Sequence, residues 1–379
     1  LEELVREAVA NGKLKAVLSA REAARESDVV IVVVQTPIDE EKRPDLSALK
    51  SALRDVAVAL RKEHLVIIES TIPPGTTRNV IAPILEESGL KAGEDFFLAY
   101  SPERAIPTRT LAEIQSNARI VGGVNRASSQ VAAALYRQIT SGDVYEESVE
   151  VVEVVKLIEN TFRDVNIALA NELALLCETI GVDVIKAINL ANKHPRVNLH
   201  MPGAGVGGHC LPKDPYFLIN EAERHGLKLK VIEAARERND SMPLHVLSKI
   251  EEALKSKGKS VSQAKVAVLG IAYKGNTDDV RLSPAEPVIK SLMNRGVDVI
   301  SHDPYAKHDF GGRFSNDLKE VVAGADVVVI LTDHDEYKKL RLEEIKPLLK
   351  RDAVVIDGRR VLSRENVEKV GLRYAGIGC

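Results

Sequence analysis

The chain reads as an α/β protein with two Rossmann-like, doubly wound parallel sheets joined by an all-helical connector built on one long helix. Three observations predict this. Short continuous β-branched runs alternate with helix-length segments in both halves, as expected of parallel strands buried on both faces. The stretch from about Glu147 to Ser256 keeps a helical period with few breakers until a Pro- and Gly-rich loop. Polar, Pro-containing segments follow the strand ends, where ligands bind in open parallel sheets.

In the first half the strands are expected near Asp28–Val34, Leu65–Glu69, Phe96–Tyr100 and Arg119–Gly122, with helices between them. The second half repeats the pattern at Lys265–Gly270, Val297–His302, Asp326–Leu331 and Ala353–Asp357. The resulting division is residues 1–146, 147–256 and 257–379. A dinucleotide-binding sheet opens with a strand, a glycine fingerprint, a helix and a second strand ending in an acidic residue. This sequence starts on a helix, Leu1–Asn11, and enters at a later strand, so the reading expects truncation relative to the natural form. Within the connector, a helix over Val151–Ile180 carries a long apolar stripe, which predicts a homodimer seam.

Composition bounds the function. The 379 residues are 45% hydrophobic, enough for two or three domains with substantial cores. The net charge of −3 and the scattered basic residues exclude a nucleic-acid footprint. No apolar run approaches the roughly 20 residues needed to cross a bilayer, and the N-terminus lacks a signal-peptide pattern, which reads as cytoplasmic. Cys177, Cys210 and Cys379 form neither a CxxC pair nor a disulfide framework, so a reducing compartment and no metal site are expected.

The segment Met201–Asp214 concentrates the chemistry, because its glycines crowd against Cys210 with Lys213 and Asp214 just behind. Glycine is needed where the backbone takes positive φ or touches a ligand, and an accessible thiolate beside such backbone can attack a carbonyl. The alternative is a tight turn with an inert buried thiol. Gly203, Gly205 and Gly208 also spell a dinucleotide fingerprint, but no strand precedes them and prolines flank them, so a phosphate-binding turn is rejected.

Other candidates follow strand ends. Thr36, Ser70 and Thr71 offer hydroxyls to a ribose or nicotinamide, or serve as turn formers. Glu103, between Pro102 and Pro107, is a fixed carboxylate suited to act as a base, or a solvated loop acid. Lys156, Asn160 and Arg163 fall on one helical stripe that could stabilise an oxyanion, or form a wet face. His194, Arg196 and Asn198 add donors for phosphate or sugar hydroxyls. Gly270–Pro284 is read as a variant nucleotide turn entering a helix, with Ala272 in the middle glycine's place and Asp303 after the next strand. The last strand delivers Asp357-Gly-Arg-Arg360.

Taken together, Glu69-Ser-Thr71, Ser101-Pro-Glu103, Lys156-Leu-Ile-Glu-Asn160, Gly207-Gly-His-Cys210 with Lys213-Asp214, Tyr273-Lys274 through Arg281, and Asp357-Gly-Arg359 closely resemble the UDP-glucose/UDP-N-acetylmannosamine dehydrogenase family over essentially the whole chain. The resemblance implies an NAD domain, a helical dimerisation core with the cysteine loop, and a C-terminal domain for the UDP-sugar. It implies Cys210 as nucleophile, Lys156, Asn160 and Asp214 assisting at the oxyanion and hydrolytic water, and Glu103 as general acid or base. Thr36, Ser70, Thr71, Lys213 and Arg281 fall on the NAD side. Arg104, Lys156, Asn160, Arg163, His194, Arg196, Gly207, Tyr273, Lys274 and Arg359 fall on the substrate side. Arg163-Asp-Val-Asn166 and Lys193–Asn198 look like the N-acetylmannosamine branch, with UDP-glucose, UDP-N-acetylglucosamine or a non-catalytic nucleotide-sugar binder as alternatives. Oxidation of a C6 alcohol to a uronate removes four electrons, and a cysteine thiohemiacetal that becomes a thioester accommodates the second stage.

Overall fold

A computed structural model describes residues 2–105 and 109–379 and divides them into two compact units. The first runs to Glu159 and includes Tyr216–Lys228; the second holds Asn160–Pro215 and Leu229–Cys379. Pro107, the second proline of the expected Glu103 loop, lies outside the described residues, as does Leu1.

The first unit contains β1 (Val29–Val32), β2 (Leu65–Ile68), β3 (Phe97–Tyr100), β4 (Arg119–Gly123) and β5 (Val144–Ser148), in that spatial order. Alternation explains why β2 reads as a continuous apolar run. Val66 and Ile68 face a cluster with Leu49, Leu53, Ile81 and Leu85, while Leu65 and Ile67 face Ala99, Val121, Ala132 and Tyr136. Both faces are therefore covered by helices, as the fold class requires. The sheet is parallel except at one junction, where β3 meets β4 antiparallel through Ala99–Gly123 and Tyr100–Gly122. Two glycines are needed there: a Cβ on Gly122 would lie 2.7 Å from the Val149 Cα, and one on Gly123 would lie 2.3 Å from the Ser129 nitrogen.

The second unit's sheet comprises β6 (Lys265–Leu269), β7 (Asp298–His302), β8 (Arg313–Phe314), β9 (Val327–Ile330), β10 (Val354–Asp357) and β11 (Arg373–Gly376). Its order is β11-β10-β9-β6-β7-β8, all parallel. The chain thus starts at the centre and reverses direction between β6 and β9, which creates a topological switch point at their carboxyl ends. Val266, Val268, Val327, Val329 and Ile356 pack beneath the helices Lys230–Lys255 and Ala285–Asn294, and Leu269, Val328, Ile330 and Val355 pack on the opposite face.

Strand positions match the sequence reading, with ends shifted by one or two residues: all are trimmed except β4, which runs one residue further, to Gly123. The strands it lacks are β5, β8 and β11, all at sheet edges. β5, Val-Tyr-Glu-Glu-Ser, is largely exposed and so carries no apolar run to mark it. The long helix spans Val149–Ile180, two residues earlier than expected. Among the described residues no helix is long and apolar enough to cross a membrane.

Candidate active site

In the second unit, the loop Met201–Lys213 follows the helix Val184–Ala191 and has no strand before it. The dinucleotide spelling there is coincidental, as its context indicated. The loop is anchored at its start by a buried polar chain. The Gly203 N–H donates to Asn171 Oδ1 at 2.8 Å, Asn171 Nδ2 donates to Asn239 Oδ1 at 2.9 Å, and Asn239 Nδ2 donates to Asp164 Oδ1 at 2.8 Å. Arg236 closes the chain on Asp164 at 2.5 Å within the interior.

Its middle is fixed by close approach. Gly208 sits at φ +90°, and a Cβ there would meet the Tyr273 ring at 2.7 Å. At Gly207 a Cβ would lie 2.6 Å from both the Leu282 carbonyl oxygen and the Tyr273 Cβ. Only glycine lets this backbone lie against Tyr273. The loop ends where the Cys210 carbonyl accepts the N–H groups of Lys213 and Asp214 at 3.0 and 2.8 Å, leading into the helix that starts at Asp214.

Cys210 is exposed and outside any disulfide. Behind it lies a buried charged set. Asn160 Nδ2 donates to Asp214 Oδ2 at 2.6 Å, and Lys213 Nζ stands 3.1 Å from Asp214 Oδ1. Burial, then the Lys213 and Arg281 charges, hold the His209 ring below the usual imidazole range. Burial, Asp279 and Cys210 push the Tyr273 hydroxyl up, which places that phenol in the electrostatic field of the thiol.

Arg359 is half-buried after β10 and donates to the Leu331 and Tyr273 carbonyls at 3.0 and 3.1 Å. Asp357 lies wholly buried and caps the same turn, accepting the Arg359 and Leu362 N–H groups at 3.1 and 2.8 Å. Arg281 is exposed and clamps Asp279 through Nε and Nη2. Lys274 and Arg163 are exposed. His194 and Arg196 are exposed as well and interact with each other, Arg196 Nη2 standing 3.5 Å from His194 Nε2. Among the described residues no hydrogen bond brings them to the cysteine loop.

The expected variant nucleotide turn after β6 is corrected by its length. The helix begins only at Ala285, after the whole loop Gly270–Pro284, so no helix N-terminus follows Gly270 directly. Nor is Asp303 available to a ribose, because both its oxygens accept backbone N–H groups.

In the first unit, the loops after β1 and β2 leave from the same carboxyl edge and are tied together. Thr36 Oγ1 donates to the Thr71 carbonyl at 2.6 Å, Ser70 Oγ donates to the Val34 carbonyl at 2.6 Å, and the Val34 N–H returns to Ser70 Oγ at 2.9 Å. Two of the three expected cofactor hydroxyls therefore hold the loops in shape. Such a rigid, small-residue edge at parallel strand ends fits a dinucleotide. Glu103 accepts the Arg104 and Ala105 N–H groups at 2.6 and 2.5 Å and Arg119 Nη2 at 3.2 Å. Burial pushes its carboxyl up, yet those N–H groups and the Arg119 charge outweigh it and hold the pKa below the ordinary value. Lys156 is buried and donates to the Glu103 carbonyl at 2.6 Å. Arg104 pairs with Glu159 at 2.6 Å.

The sequence reading passed over several supports. Glu153, fully buried one turn before Lys156, accepts the Gly75 and Thr77 N–H groups at 2.5 and 2.7 Å and anchors the Pro-Pro-Gly loop. Arg119 props Glu103 from β4. Asn171, Asn239, Asp164 and Arg236 hold the cysteine loop. Their one signal in sequence is polarity inside an apolar stripe or strand.

A nucleophile-type cysteine on a glycine loop, in a chain whose two sheets each present strand-end loops, fits the nucleotide-sugar dehydrogenase class that the sequence resembles. Comparison with known proteins agrees. Residues 1–140 match the NAD binding domain of the UDP-glucose/GDP-mannose dehydrogenase family, residues 150–241 its central domain and residues 267–364 its UDP binding domain. The chain belongs to that family; it is an NAD-dependent UDP-sugar dehydrogenase. It is similar to the UDP-N-acetyl-D-mannosamine dehydrogenase of Pyrococcus horikoshii, 45% identical over 100% of this chain and 87% of that protein. That of Methanocaldococcus jannaschii is 42% identical over 99% of this chain and 84% of its own length. Among solved structures, the UDP-D-ManNAc dehydrogenase of Pyrococcus horikoshii superposes with a TM-score of 0.91 at 44% identity, covering 98% of this chain and 86% of that one. The NDP-N-acetyl-D-galactosaminuronic acid dehydrogenase of Methanosarcina mazei gives 0.89 at 39%, covering 100% and 83%.

Proposed function

We propose that this enzyme oxidises the C6 alcohol of UDP-N-acetylmannosamine to the uronate, with Cys210 as covalent nucleophile, and that it works as a homodimer through the long helix. The carrying observation is the exposed Cys210, on a backbone pinned against Tyr273 and backed by the buried Asn160–Asp214–Lys213 set. NAD, when bound, accepts one hydride at each of the two oxidations.

The chain's own part begins once the aldehyde exists. The Cys210 sulfur adds to its carbonyl carbon, the oxygen takes up a proton, and the carbon is held as a thiohemiacetal; after the second oxidation the same carbon is a thioester. Water then adds to the thioester, the C–S bond breaks, and the carboxylate leaves as the thiol regains its proton. Donors are needed at each tetrahedral stage, and Asn160 and Lys156 are the residues assigned to it. Asp214, with Lys213 beside it, is assigned to the hydrolytic water. Glu103, held ionised by Arg119 and two N–H groups, is the acid–base candidate. Thr71 on the tied β1–β2 edge is assigned to NAD, with Thr36 and Ser70 shaping that edge, and Lys213 and Arg281 are placed on the NAD side by family resemblance. Tyr273, Lys274, Gly207, Arg104, Arg163, His194, Arg196 and Arg359 are placed on the substrate side on the same ground. A helical core domain, lying between the two sheet domains in chain order, is part of this reading.

The test is Cys210→Ser assayed for uronate and for a protein-bound acyl adduct by intact-mass spectrometry. Wild-type enzyme is expected to show the adduct after rapid quenching and the variant to yield no uronate. Normal uronate yield from the variant would end the covalent reading. Turnover of UDP-N-acetylmannosamine beside UDP-N-acetylglucosamine, UDP-N-acetylgalactosamine and UDP-glucose settles the sugar, and the first is expected to give the highest kcat/KM.

A further inference from the structure

The loop after β6 is gripped from below by two buried side chains that the reaction does not use. Asp303, at the end of β7, accepts the N–H groups of Ile271 and Ala272 on Oδ2 at 2.8 and 3.0 Å, and those of Tyr305 and Ala306 on Oδ1 at 2.9 and 2.8 Å. His334, wholly buried after β9, accepts the Asn276 N–H on Nδ1 at 2.9 Å. Its ring proton therefore sits on Nε2, which faces Asp303 Oδ2 at 3.0 Å.

The rest of the ridge adds to this grip. Asp333 Oδ1 accepts the Gly275 N–H at 3.1 Å, Asn276 and Asp335 exchange two hydrogen bonds at 3.0 and 3.1 Å, and Thr332 Oγ1 donates to the Ala272 carbonyl at 2.5 Å. Asn276 sits at φ +60°, a conformation few non-glycine residues hold, and the His334 acceptor is one of the contacts that keep it there. Asp303 thus fixes the backbone just before Tyr273 and Lys274, and His334 fixes it just after. The loop is also the surface on which Gly207 and Gly208 rest, through Tyr273 and Leu282.

We infer that Asp303 and His334 form a positioning pair that holds the Tyr273–Lys274 segment in its substrate-binding shape and so sets affinity for the UDP-sugar, without touching substrate or reacting atoms. The inference rests on the reading of this loop as the one that holds the UDP-sugar. Removing the ring leaves the Asn276 N–H and one Asp303 oxygen without their buried partner, a loss that falls on loop geometry first.

The experiment measures UDP affinity by calorimetry, and kcat with KM for UDP-sugar and for NAD, on the full chain with His334→Ala, His334→Asn, Asp303→Asn and Lys274→Ala. His334→Ala is expected to raise UDP Kd and UDP-sugar KM about tenfold or more, with NAD KM within twofold of wild type and a retained cooperative melt. His334→Asn, whose Oδ1 can replace Nδ1 as acceptor, is expected to recover most of that loss. Should His334→Ala not fold, Asp303→Asn carries the test, because in either orientation its NH2 opposes a pair of N–H groups, those of Ile271 and Ala272 or those of Tyr305 and Ala306, while keeping the shape. Unchanged UDP affinity in His334→Ala and Asp303→Asn, or an equal loss toward NAD, overturns the inference. Lys274→Ala separates the two layers: unchanged UDP affinity there overturns the reading of the loop itself, whereas weakened binding in Lys274→Ala alone overturns only the positioning pair.

Discussion

Asn160 and Asp214, from different parts of the chain, meet inside the second unit at 2.6 Å, and Asp214 is at the same time 3.1 Å from the buried Lys213 ammonium. One carboxylate therefore holds an amide and a cation out of contact with solvent. Asp214→Ala would remove a buried partner from both that ammonium and the Asn160 amide, and breaking a buried ion pair by removing one partner typically costs about 3–5 kcal/mol. Chemical denaturation is expected to show a loss in that range for Asp214→Ala. A loss under 1 kcal/mol would mean that the charge pair is not closed to water in solution.

The Cys210 loop makes a second demand, at Gly208. Alanine there must hold φ +90° and place its Cβ 2.7 Å from the Tyr273 ring, so the loop must move. Gly226 also has positive φ, +71°, but its Cβ would meet nothing within 4 Å. Gly208→Ala is expected to lower kcat/KM for the UDP-sugar more than tenfold, and Gly226→Ala to cost about 1 kcal/mol of stability with normal kinetics. Equal kinetics in both variants would remove close packing as the reason for the glycine.

The difference between what the sequence disclosed and what it concealed follows burial. Val66-Ile67-Ile68 announces a central strand because both faces need apolar side chains, whereas Tyr145-Glu146-Glu147 in β5 has one neighbour strand and largely faces solvent. The cysteine loop was legible because its glycines answer a steric need that few other places in a chain share. Glu153, Arg119 and the Asp164–Asn239–Asn171 chain were not, because one buried polar residue looks in sequence like a surface residue until its partner is found. Lys213 and Arg281, read with Thr36 and Thr71 on the NAD side, belong to the unit that holds Cys210. Asp303 shows the limit of motif logic: the acidic residue stands where a fingerprint wants one, yet its oxygens are committed to the loop beside it.

That commitment also fixes a pH dependence. Burial alone would raise the Asp303 carboxyl, but the His334 ring and the N–H groups of Ala306, Ala272 and Ile271 pull it down to about 2. A group whose folded pKa is depressed contributes stability that is present above its unfolded pKa near 4 and disappears as pH falls through the folded value. The contribution is therefore full at pH 7 and lost progressively between about pH 4 and pH 2, on the order of 2 kcal/mol. Urea unfolding of wild type and Asp303→Asn from pH 7 to pH 2.5 is expected to show a gap that is widest at neutral pH and narrows with acid. A gap independent of pH would assign the effect to shape alone.

The long helix leads to the last prediction. Val151, Ile158, Phe162, Leu169, Leu176 and Ile180 are all exposed, and they recur at intervals of seven, four, seven, seven and four residues along Val149–Ile180. That repeat keeps them on one stripe of the helix, and a contiguous apolar stripe on a surface helix marks an interaction face. In the proposed homodimer the same stripe on a second copy would cover it about a two-fold axis, with no further partner needed. Light scattering on the wild-type chain at micromolar concentration is expected to give twice the chain mass. Phe162→Glu with Leu169→Glu sets four carboxylates against apolar surface at a two-fold contact and is expected to give the single-chain mass, with the cooperative melt retained. A wild-type mass equal to one chain, or a double variant that remains dimeric, rules out this face as the seam.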